Sequence, residues 1–222
     1  DKGKNFKNFS KIKNWQSPEL HQKLIKLRKK NKHHFALIYD VMQKNNSINE
    51  FCMENKLDDM ARNFLGIKNG EMMMRSQIRM DVPLDKRNTF DWHQDSAYDK
   101  LNYNPKNGVV LWIPLLNAEI DKGALEVKPK SQSEKNTYIV KKKYKKFHSP
   151  QFIVPDSALA KYETLKVPVK KGQCLALYGN LFHKSGNNFS DKIRFTIIAR
   201  FNKILSKDFY IYKKTKIFDE LY

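Results

Sequence analysis

The stretch Ile193-Arg194-Phe195-Thr196-Ile197-Ile198-Ala199-Arg200-Phe201 alternates between two sets of side chains. Its odd-numbered positions are all apolar, whereas the even-numbered ones are Arg194, Thr196, Ile198 and Arg200. Because successive side chains of a strand point to opposite faces, this period of two predicts a β-strand. Its apolar face must be covered by another layer of the protein. Its other face presents two arginines and must therefore lie in a different environment.

Further strands are predicted in the last two thirds of the chain, each bounded by turn residues. They are expected at 74–80, 109–116, 124–127, 164–169 and 173–178. Residues 130–163 show no period and are predicted to be irregular. Their lysine run at 141–146 is typical of a solvated loop, and the alternative is a lid that attracts an anionic substrate.

The first third of the chain is predicted to be helical, after a polar lead-in at 1–14. Ser17-Pro18-Glu19 is typical of a helix start, because Ser caps the first turn and Pro is tolerated there. Helical spacing continues with a break near Asn31. Ser47-Ile48-Asn49-Glu50 then indicates a capping box that opens a second helical stretch, which ends near Gly66.

Helices followed by short strands favour one mainly β domain over residues 1–222. We expect a β-sandwich or jelly-roll core at about 71–212, covered on one face by helices at about 15–66. A doubly wound parallel sheet is disfavoured, because helices do not alternate with the predicted strands of the second half.

The net charge of +20 on 222 residues is expected to attract anions. Lysine supplies 36 of the 43 basic residues, whereas arginine, which reads phosphates and guanines best, supplies only 7. The basic composition is typical of an AT-rich genome. It argues against a nucleic-acid surface and mildly favours an anionic small molecule as the substrate.

Cys52 and Cys174 match no CxxC or zinc spacing, so we expect two reduced thiols in a cytoplasmic protein. No apolar run approaches the roughly 18 residues that a membrane span needs. No signal segment is apparent either. A cytoplasmic protein without a membrane span is therefore expected.

Trp92-His93-Gln94-Asp95 and the distant His183 supply two histidines and one carboxylate. Such a set on one side of a metal leaves the other side open, as in non-haem Fe(II) oxygenases. If residues 92–95 form a strand, His93 and Asp95 point to the same side. Taken singly, each of these residues is more often structural, so the prediction depends on their combination.

Arg194 follows His183 by eleven residues, on the less apolar face of its strand. A guanidinium group inside a barrel and beside a metal needs an anion to neutralise it. A dicarboxylate held by the metal at one end and by Arg194 at the other would do so. The alternative for Arg194 is a structural ion pair.

Several blocks of the chain resemble successive blocks of the phytanoyl-CoA dioxygenase family. Together they cover roughly residues 71–202 and are specific in combination. They are Trp92-His93-Gln94-Asp95, Val110-Leu111-Trp112-Ile113-Pro114-Leu115, Gly123-Ala124-Leu125-Glu126-Val127-Lys128-Pro129-Lys130-Ser131, Val169-Lys170-Lys171-Gly172-Gln173 and His183-Lys184-Ser185-Gly186-Asn187-Asn188-Phe189-Ser190-Asp191-Lys192-Ile193-Arg194.

The resemblance implies a double-stranded β-helix (jelly roll, cupin-like) that binds Fe(II) and 2-oxoglutarate and uses O2. His93, Asp95 and His183 would hold the iron. Arg194 and Ser185 would bind the distal carboxylate of 2-oxoglutarate, and ascorbate is a candidate reductant. Gln77 and Trp112 occupy positions that contact the cosubstrate or line the pocket in relatives, although Trp112 could equally be a core residue.

Two departures from the family pattern leave these ligands untouched: Lys130-Ser131-Gln132 replaces a frequent Gly-Ser-His, and Gly172-Gln173 replaces Gly-Asp. Related halogenases have a small residue in place of the carboxylate ligand, so Asp95 favours hydroxylation. Three functions follow: a hydroxylase of a small or carrier-linked metabolite, the same enzyme acting on a macromolecule, and a catalytically silent jelly roll that binds an anionic polymer or partner. The complete ligand set favours the first.

Overall fold

The computed structural model describes residues 16–68, 72–98, 108–142 and 151–204. The lead-in predicted at 1–14, most of the lysine run at 141–146 and the predicted end of the core at 205–212 lie outside the described residues. Among the described residues, no helix is both long and apolar enough to cross a bilayer.

Residues 16–68 form four helices, in agreement with the predicted helical first third: α1 Pro18–Lys30, α2 Lys32–Gln43, α3 Ser47–Glu54 and α4 Leu57–Leu65. Ser17 caps α1 by accepting a hydrogen bond of 3.2 Å from the backbone N–H of Leu20. Asn31 ends α1 and caps α2, since its Oδ1 accepts from the N–H of His34 at 2.9 Å. The predicted break near Asn31 is therefore confirmed.

The predicted capping box at Ser47 is wrong. Asn46 is the N-cap residue of α3, without a side-chain cap bond, and Oδ1 of Asn45 accepts from the N–H of Ser47 at 3.0 Å. The single helical stretch expected after Ser47 is divided into α3 and α4, because Lys56 between them adopts a left-handed conformation with φ of 51°. Gly66, with φ of 65°, ends α4 as predicted.

Nine strands follow in the part of the chain that the structure describes, and the six that the sequence predicts are among them. They are β1 Met72–Asp81, β2 Gly108–Pro114, β3 Leu125–Val127, β4 Val140–Lys142, β5 Gln151–Ile153, β6 Leu165–Val167, β7 Leu175–Tyr178, β8 His183–Lys184 and β9 Arg194–Lys203. Strands β4 and β5 and the short helix α5 Asp156–Leu159 lie in the segment that was predicted to be irregular.

The strands form two main antiparallel sheets and one small one. The larger sheet has the order β1-β9-β2-β7, the second has the order β6-β3-β8, and β4 pairs with β5. In the pairing of β1 with β9, Arg75 lies opposite Arg200, Gln77 opposite Ile198 and Asp81 opposite Arg194. The fold is a mainly β jelly roll with a helical layer, as expected.

The alternation of β9 separates two apolar cores. Ile193, Phe195, Ile197, Ala199 and Phe201 pack with the helices on one side of the larger sheet. Ile198 instead packs with Val110, Trp112 and residues of the second sheet. The polar positions of β9 therefore face the space between the two sheets, where the candidate site lies.

Candidate metal centre

Two of the three predicted ligands are joined through the backbone. The N–H of His93 donates to the carbonyl of His183 at 3.0 Å, and the N–H of His183 donates back to the carbonyl of His93 at 3.1 Å. This isolated bridge lies outside the longer strands, and Asp95 begins a 3₁₀ helix, Asp95–Tyr98. Residues 92–95 therefore do not form the continuous strand on which His93 and Asp95 would share a side, because the chain turns immediately after the bridge.

The side chains of His93, Asp95 and His183 nevertheless converge. One potential ligand atom of each lies within 4.8 Å of those of the other two. All three side chains are buried, with relative exposures of 7%, 9% and 5% in the order His93, Asp95, His183. The structure thus brings together the metal set that the sequence predicts.

Both histidines are held with Nε2 free to bind a metal. Nδ1 of His93 lies 2.7 Å from the carbonyl of Asp91, and Nδ1 of His183 lies 2.9 Å from the carbonyl of Leu181. Because a carbonyl only accepts, each Nδ1 carries the proton and each Nε2 has a lone pair. Nε2 of His183 lies 3.9 Å from Oδ2 of Asp95.

Arg200 holds the other oxygen of the Asp95 carboxylate. Its Nη2 donates to Oδ1 of Asp95 at 3.2 Å. One carboxylate oxygen is therefore engaged by Arg200, while the other faces the histidines. Arg200 was not among the predicted site residues, although the alternation of β9 places it on the same face as Arg194.

The surroundings favour the protonation states that a metal needs. Burial, with the neighbouring His183, lowers the pKa of His93 from 6.5 to about 3. Burial alone would raise the pKa of Asp95, but the charge of Arg200 and the nearby histidines lower it below its ordinary value. At neutral pH the site therefore offers a neutral His93 and an ionised Asp95, and metals bind deprotonated ligands.

Gln94, between the two ligands, points away from them and fixes this segment. It is 1% exposed, donates to the carbonyls of Asn136 at 3.1 Å and Asn180 at 3.2 Å, and accepts from the N–H of Tyr138 at 2.9 Å. These bonds tie the segment of Asp95 to the loop that follows β3. Large movements of the ligands are restricted as a result.

The ligands open into a cavity of about 400 Å³ between the two sheets. Three more predicted site residues, Gln77, Trp112 and Ser185, line it, and Arg194 does not. The remaining lining residues are Arg75, Arg79, Phe90, Tyr98, Val110, Leu125, Leu177, Ile198 and Arg200. This cavity is large enough for a small cosubstrate and part of a substrate.

Arg194 lies beside the cavity, behind Trp112. It is 4% exposed, and its guanidinium carbon is 5.5 Å from the ring centroid of Trp112. Oδ2 of Asp81 accepts from Nη2 of Arg194 at 2.5 Å and from Nε at 3.2 Å, so Arg194 forms the structural ion pair that was its alternative role, with a partner that the sequence did not indicate. Asp81 and Arg194 meet because β1 and β9 pair in a register that places them directly opposite each other.

Asp81 does not fully neutralise this corner, because Arg79 shares it. Nη2 of Arg79 donates to Oδ1 of Asp81 at 3.2 Å. Burial would raise the pKa of Asp81, but the two arginines lower it, so the carboxylate is ionised. Two buried guanidinium groups therefore share one carboxylate, and one positive charge is left in excess.

Nη1 of Arg194 is buried and has no hydrogen-bond partner among the described residues. The turn containing Gly123 lies against this nitrogen, and a Cβ at Gly123, where φ is 87°, would overlap it. An unpaired N–H in a corner of excess positive charge suits a carboxylate. Two histidines and a carboxylate fit the iron that the resemblance implies. Arg194 offers one unpaired donor to a carboxylate, but it lies outside the lining of the cavity that contains the metal ligands.

Ser185 and Ser131 stabilise the two ends of the His183 segment. Oγ of Ser185 accepts from the N–H of Phe90 at 3.1 Å, and Oγ of Ser131 accepts from the N–H of Phe182 at 2.8 Å. Lys130, before Ser131, has φ of 72°, a conformation that favours glycine. This accounts for the glycine that the family often has at this position.

The chain was then compared with known proteins. A family model described as phytanoyl-CoA dioxygenase (PhyH) matches residues 8–196, while no curated protein matches significantly. The solved structure of EvdO2 from Micromonospora carbonacea var. aurantiaca is 16% identical, with 71% of this chain and 64% of that chain covered and a TM-score of 0.55.

Two further structures were solved with small molecules bound. The epimerase SnoN in complex with Fe3+, alpha ketoglutarate and nogalamycin RO is 13% identical, with 72% and 60% of the two chains covered and a TM-score of 0.52. EctD from S. alaskensis with 2-oxoglutarate and 5-hydroxyectoine is 20% identical, with 71% and 53% covered and a TM-score of 0.53.

At these identities the likeness concerns the fold, and this chain spans only 53% to 64% of the length of these three proteins. The family model, in contrast, covers most of the sequence and includes all three candidate ligands. The chain therefore belongs to the phytanoyl-CoA dioxygenase family.

Proposed function

We propose that this protein is an Fe(II)- and 2-oxoglutarate-dependent dioxygenase that hydroxylates a C–H bond of a small or carrier-linked metabolite. The convergence of His93, Asp95 and His183 on one side of a cavity carries the proposal. Three ligands on one side leave the positions on the opposite side for a cosubstrate, O2 and the approach of a substrate. The products from 2-oxoglutarate are succinate and CO2.

The chain's own residues provide orientation and a dry pocket, while bound iron and 2-oxoglutarate, with O2, supply the oxidising power. His93, Asp95 and His183 would hold the metal. Arg194 would pair with the distal carboxylate of 2-oxoglutarate through its unpartnered Nη1.

Other residues would orient the cosubstrate and exclude water. Ser185 would add a hydrogen bond to the same carboxylate, and Gln77 and Trp112 would line the path between the carboxylate and the metal. Val110, Leu125, Leu177 and Ile198 line the same cavity with apolar side chains, and an apolar surrounding strengthens charge interactions at the metal set.

Asp95 supports hydroxylation over halogenation, because a carboxylate ligand occupies the position that a halide needs in related halogenases. Arg200 reinforces this role by holding Oδ1 of the carboxylate.

Release of succinate from 2-oxoglutarate tests the proposal. Purified protein with Fe(II), 2-oxoglutarate and ascorbate should form succinate slowly, and faster with a substrate found by screening metabolites. His93→Ala and Asp95→Ala should abolish this activity, whereas His33→Ala, on the exposed face of α2, should not. Unchanged succinate release in either ligand variant would refute the assignment.

A catalytically silent jelly roll that binds an anionic polymer or partner through its lysines is the second candidate. The net charge of +20 favours it. The complete ligand set argues against it, because a silent protein has no need of three convergent ligands. Binding to a polyanion without any succinate release at saturating Fe(II) would favour the silent protein.

If the same enzyme acts on an anionic macromolecule, its affinity for a polyanion should fall steeply as the salt concentration rises. A shallow dependence of polyanion binding on salt would exclude that version.

A further inference from the structure

Arg75 and Arg200 lie directly opposite each other in the antiparallel pairing of β1 with β9. Both line the cavity that contains the metal ligands. Directly opposed residues of an antiparallel pair have Cβ atoms only about 5 Å apart, and like charges at two such positions destabilise a sheet. An anion held between the two guanidinium groups would offset that repulsion.

Positive charge exceeds negative charge at this end of the cavity. Asp95 is the only acidic residue among the described residues that line the cavity, and it is also the carboxylate of the metal set. Arg200 gives Asp95 one hydrogen bond, of 3.2 Å, and has further N–H groups. Arg75 is exposed and has no hydrogen bond or ion pair with any residue that the structure describes.

The cosubstrate does not account for this pair. Arg194 and Arg200 are on the same face of β9 but six residues apart, which corresponds to roughly 20 Å along a strand. Arg200 already contacts Asp95 at the metal set, so a cosubstrate that extends from the metal to Arg194 leads away from Arg200. The Arg75–Arg200 pair therefore lies on the other side of the metal set from Arg194, at the exposed end of the cavity that Arg75 marks.

We propose that Arg75 and Arg200 bind an acidic group, a phosphate or a carboxylate, of the primary substrate. The proposal rests on the proposed function and adds the substrate class to it. A substrate anchored in this way would have its charged end at the rim of the cavity and a neighbouring C–H bond toward the metal. Two guanidinium groups can give such an anion several charge-assisted hydrogen bonds.

The test uses ethyl phosphate and propionate as separate probes of protein loaded with Co(II) and 2-oxoglutarate, at constant ionic strength. Calorimetry gives the dissociation constants, and the paramagnetic Co(II) shortens the 31P relaxation time of ethyl phosphate bound nearby. The variants are Arg75→Gln and Arg75→Lys. Lys203→Gln is the matched control, because it removes the same charge from the opposite face of β9.

We expect Arg75→Gln to weaken binding of at least one probe about tenfold, since a hydrogen bond to a charged group is commonly worth that factor. Arg75→Lys should recover part of the affinity, and Lys203→Gln should change it less than about twofold. The stronger probe identifies the acidic group. The affinity for 2-oxoglutarate should stay unchanged in Arg75→Gln.

Equal weakening in Arg75→Gln and Lys203→Gln would overturn the proposal, because the probes would then follow the general charge of the surface. So would ethyl phosphate that binds in an Arg75-dependent way while its 31P relaxation is unaffected by Co(II), since it would then lie far from the metal set. The same holds if neither probe binds to protein that takes up Co(II) and 2-oxoglutarate normally. If Co(II) and 2-oxoglutarate do not bind, but the affinity for the probes still depends on Arg75, the proposed function fails and the anion site stands.

Discussion

Arg200 donates a hydrogen bond to Oδ1 of Asp95 at 3.2 Å, while Oδ2 of the same carboxylate lies 3.9 Å from Nε2 of His183. The two oxygens thus have different partners. A carboxylate that is held by one oxygen can offer the other to a metal in a defined direction. Arg200 is in this respect a positioning residue for Asp95.

Arg200→Gln should weaken metal binding about 10-fold to 100-fold, the usual effect of losing a hydrogen-bond partner behind a metal ligand. Titration with Co(II), followed by its visible absorption, measures this. Lys203→Gln, which removes the same charge from the opposite face of the strand, should leave the affinity unchanged. Equal effects of the two substitutions would show that only overall charge matters.

Asp81→Asn should destabilise the protein by about 3–5 kcal/mol, because it leaves Arg79 and Arg194 buried without their shared anion. Denaturation in urea, compared at constant m-value, measures the loss. Asp85→Asn is the matched control, since Asp85 pairs with Arg28 but is 20% exposed. If Asp81→Asn loses no more stability than the control, the view that Arg79 and Arg194 depend on Asp81 as their shared anion is contradicted.

Stability should fall as the pH drops below about 6.5, partly through His21. Its Nδ1 accepts from the N–H of Ile193 at 3.0 Å, and burial, with the nearby Lys192, lowers the pKa of His21 below 6.5. The unfolded chain therefore takes up a proton at a higher pH than the folded one, so this stability is complete above pH 6.5 and is lost as the pH falls toward the folded pKa. His93 contributes with the same sign, down to about pH 3.

Urea denaturation of His21→Asn between pH 7 and pH 5 isolates the contribution of His21. Asn can still accept the hydrogen bond but does not titrate, so its stability should vary less with pH than that of the wild type. The difference in slope is at most about 1.4 kcal/mol per pH unit for one proton. His33→Ala should keep the wild-type slope, and identical slopes for all three proteins would exclude His21 as a source.

Lys130→Gly should stabilise the protein by about 1 kcal/mol. Lys130 has φ of 72°, and an L-residue in the left-handed region costs roughly 1–2 kcal/mol, which exceeds the extra entropy of glycine in the unfolded chain. Thermal unfolding measures the change. Lys135→Gly, at an exposed position without a positive φ, should destabilise instead, and a similar loss at Lys130 would rule out strain there.

The strands could be predicted from the sequence because their signal is local. The alternation of β9 defines both its faces, and Phe195 and Ile198 do lie in different cores. His93, Asp95 and His183 converge as expected, although Asp95 reaches the site from a 3₁₀ helix. The types of the three side chains were enough to predict the metal set, because a metal site depends on where the ligand atoms meet and not on the secondary structure that carries each ligand.

The partners of the charged residues could not be predicted in the same way. Nothing near Asp81 or Arg200 in the sequence indicates that one lies against Arg194 and the other against Asp95. These pairs depend on the order β1-β9-β2-β7, which brings distant segments together. The break at Lys56 was missed for another reason, since its left-handed conformation contradicts the ordinary preference of lysine.

The backbone bridge between His93 and His183 means that much of the chelate geometry is established by folding. The two residues are about 90 positions apart, and closing a loop of that length costs about 4 kcal/mol of chain entropy. Folding of the sheets meets this cost before any ion arrives. Metal uptake should therefore be fast and nearly free of ordering entropy, and a chelator should remove the ion while the rest of the molecule stays folded.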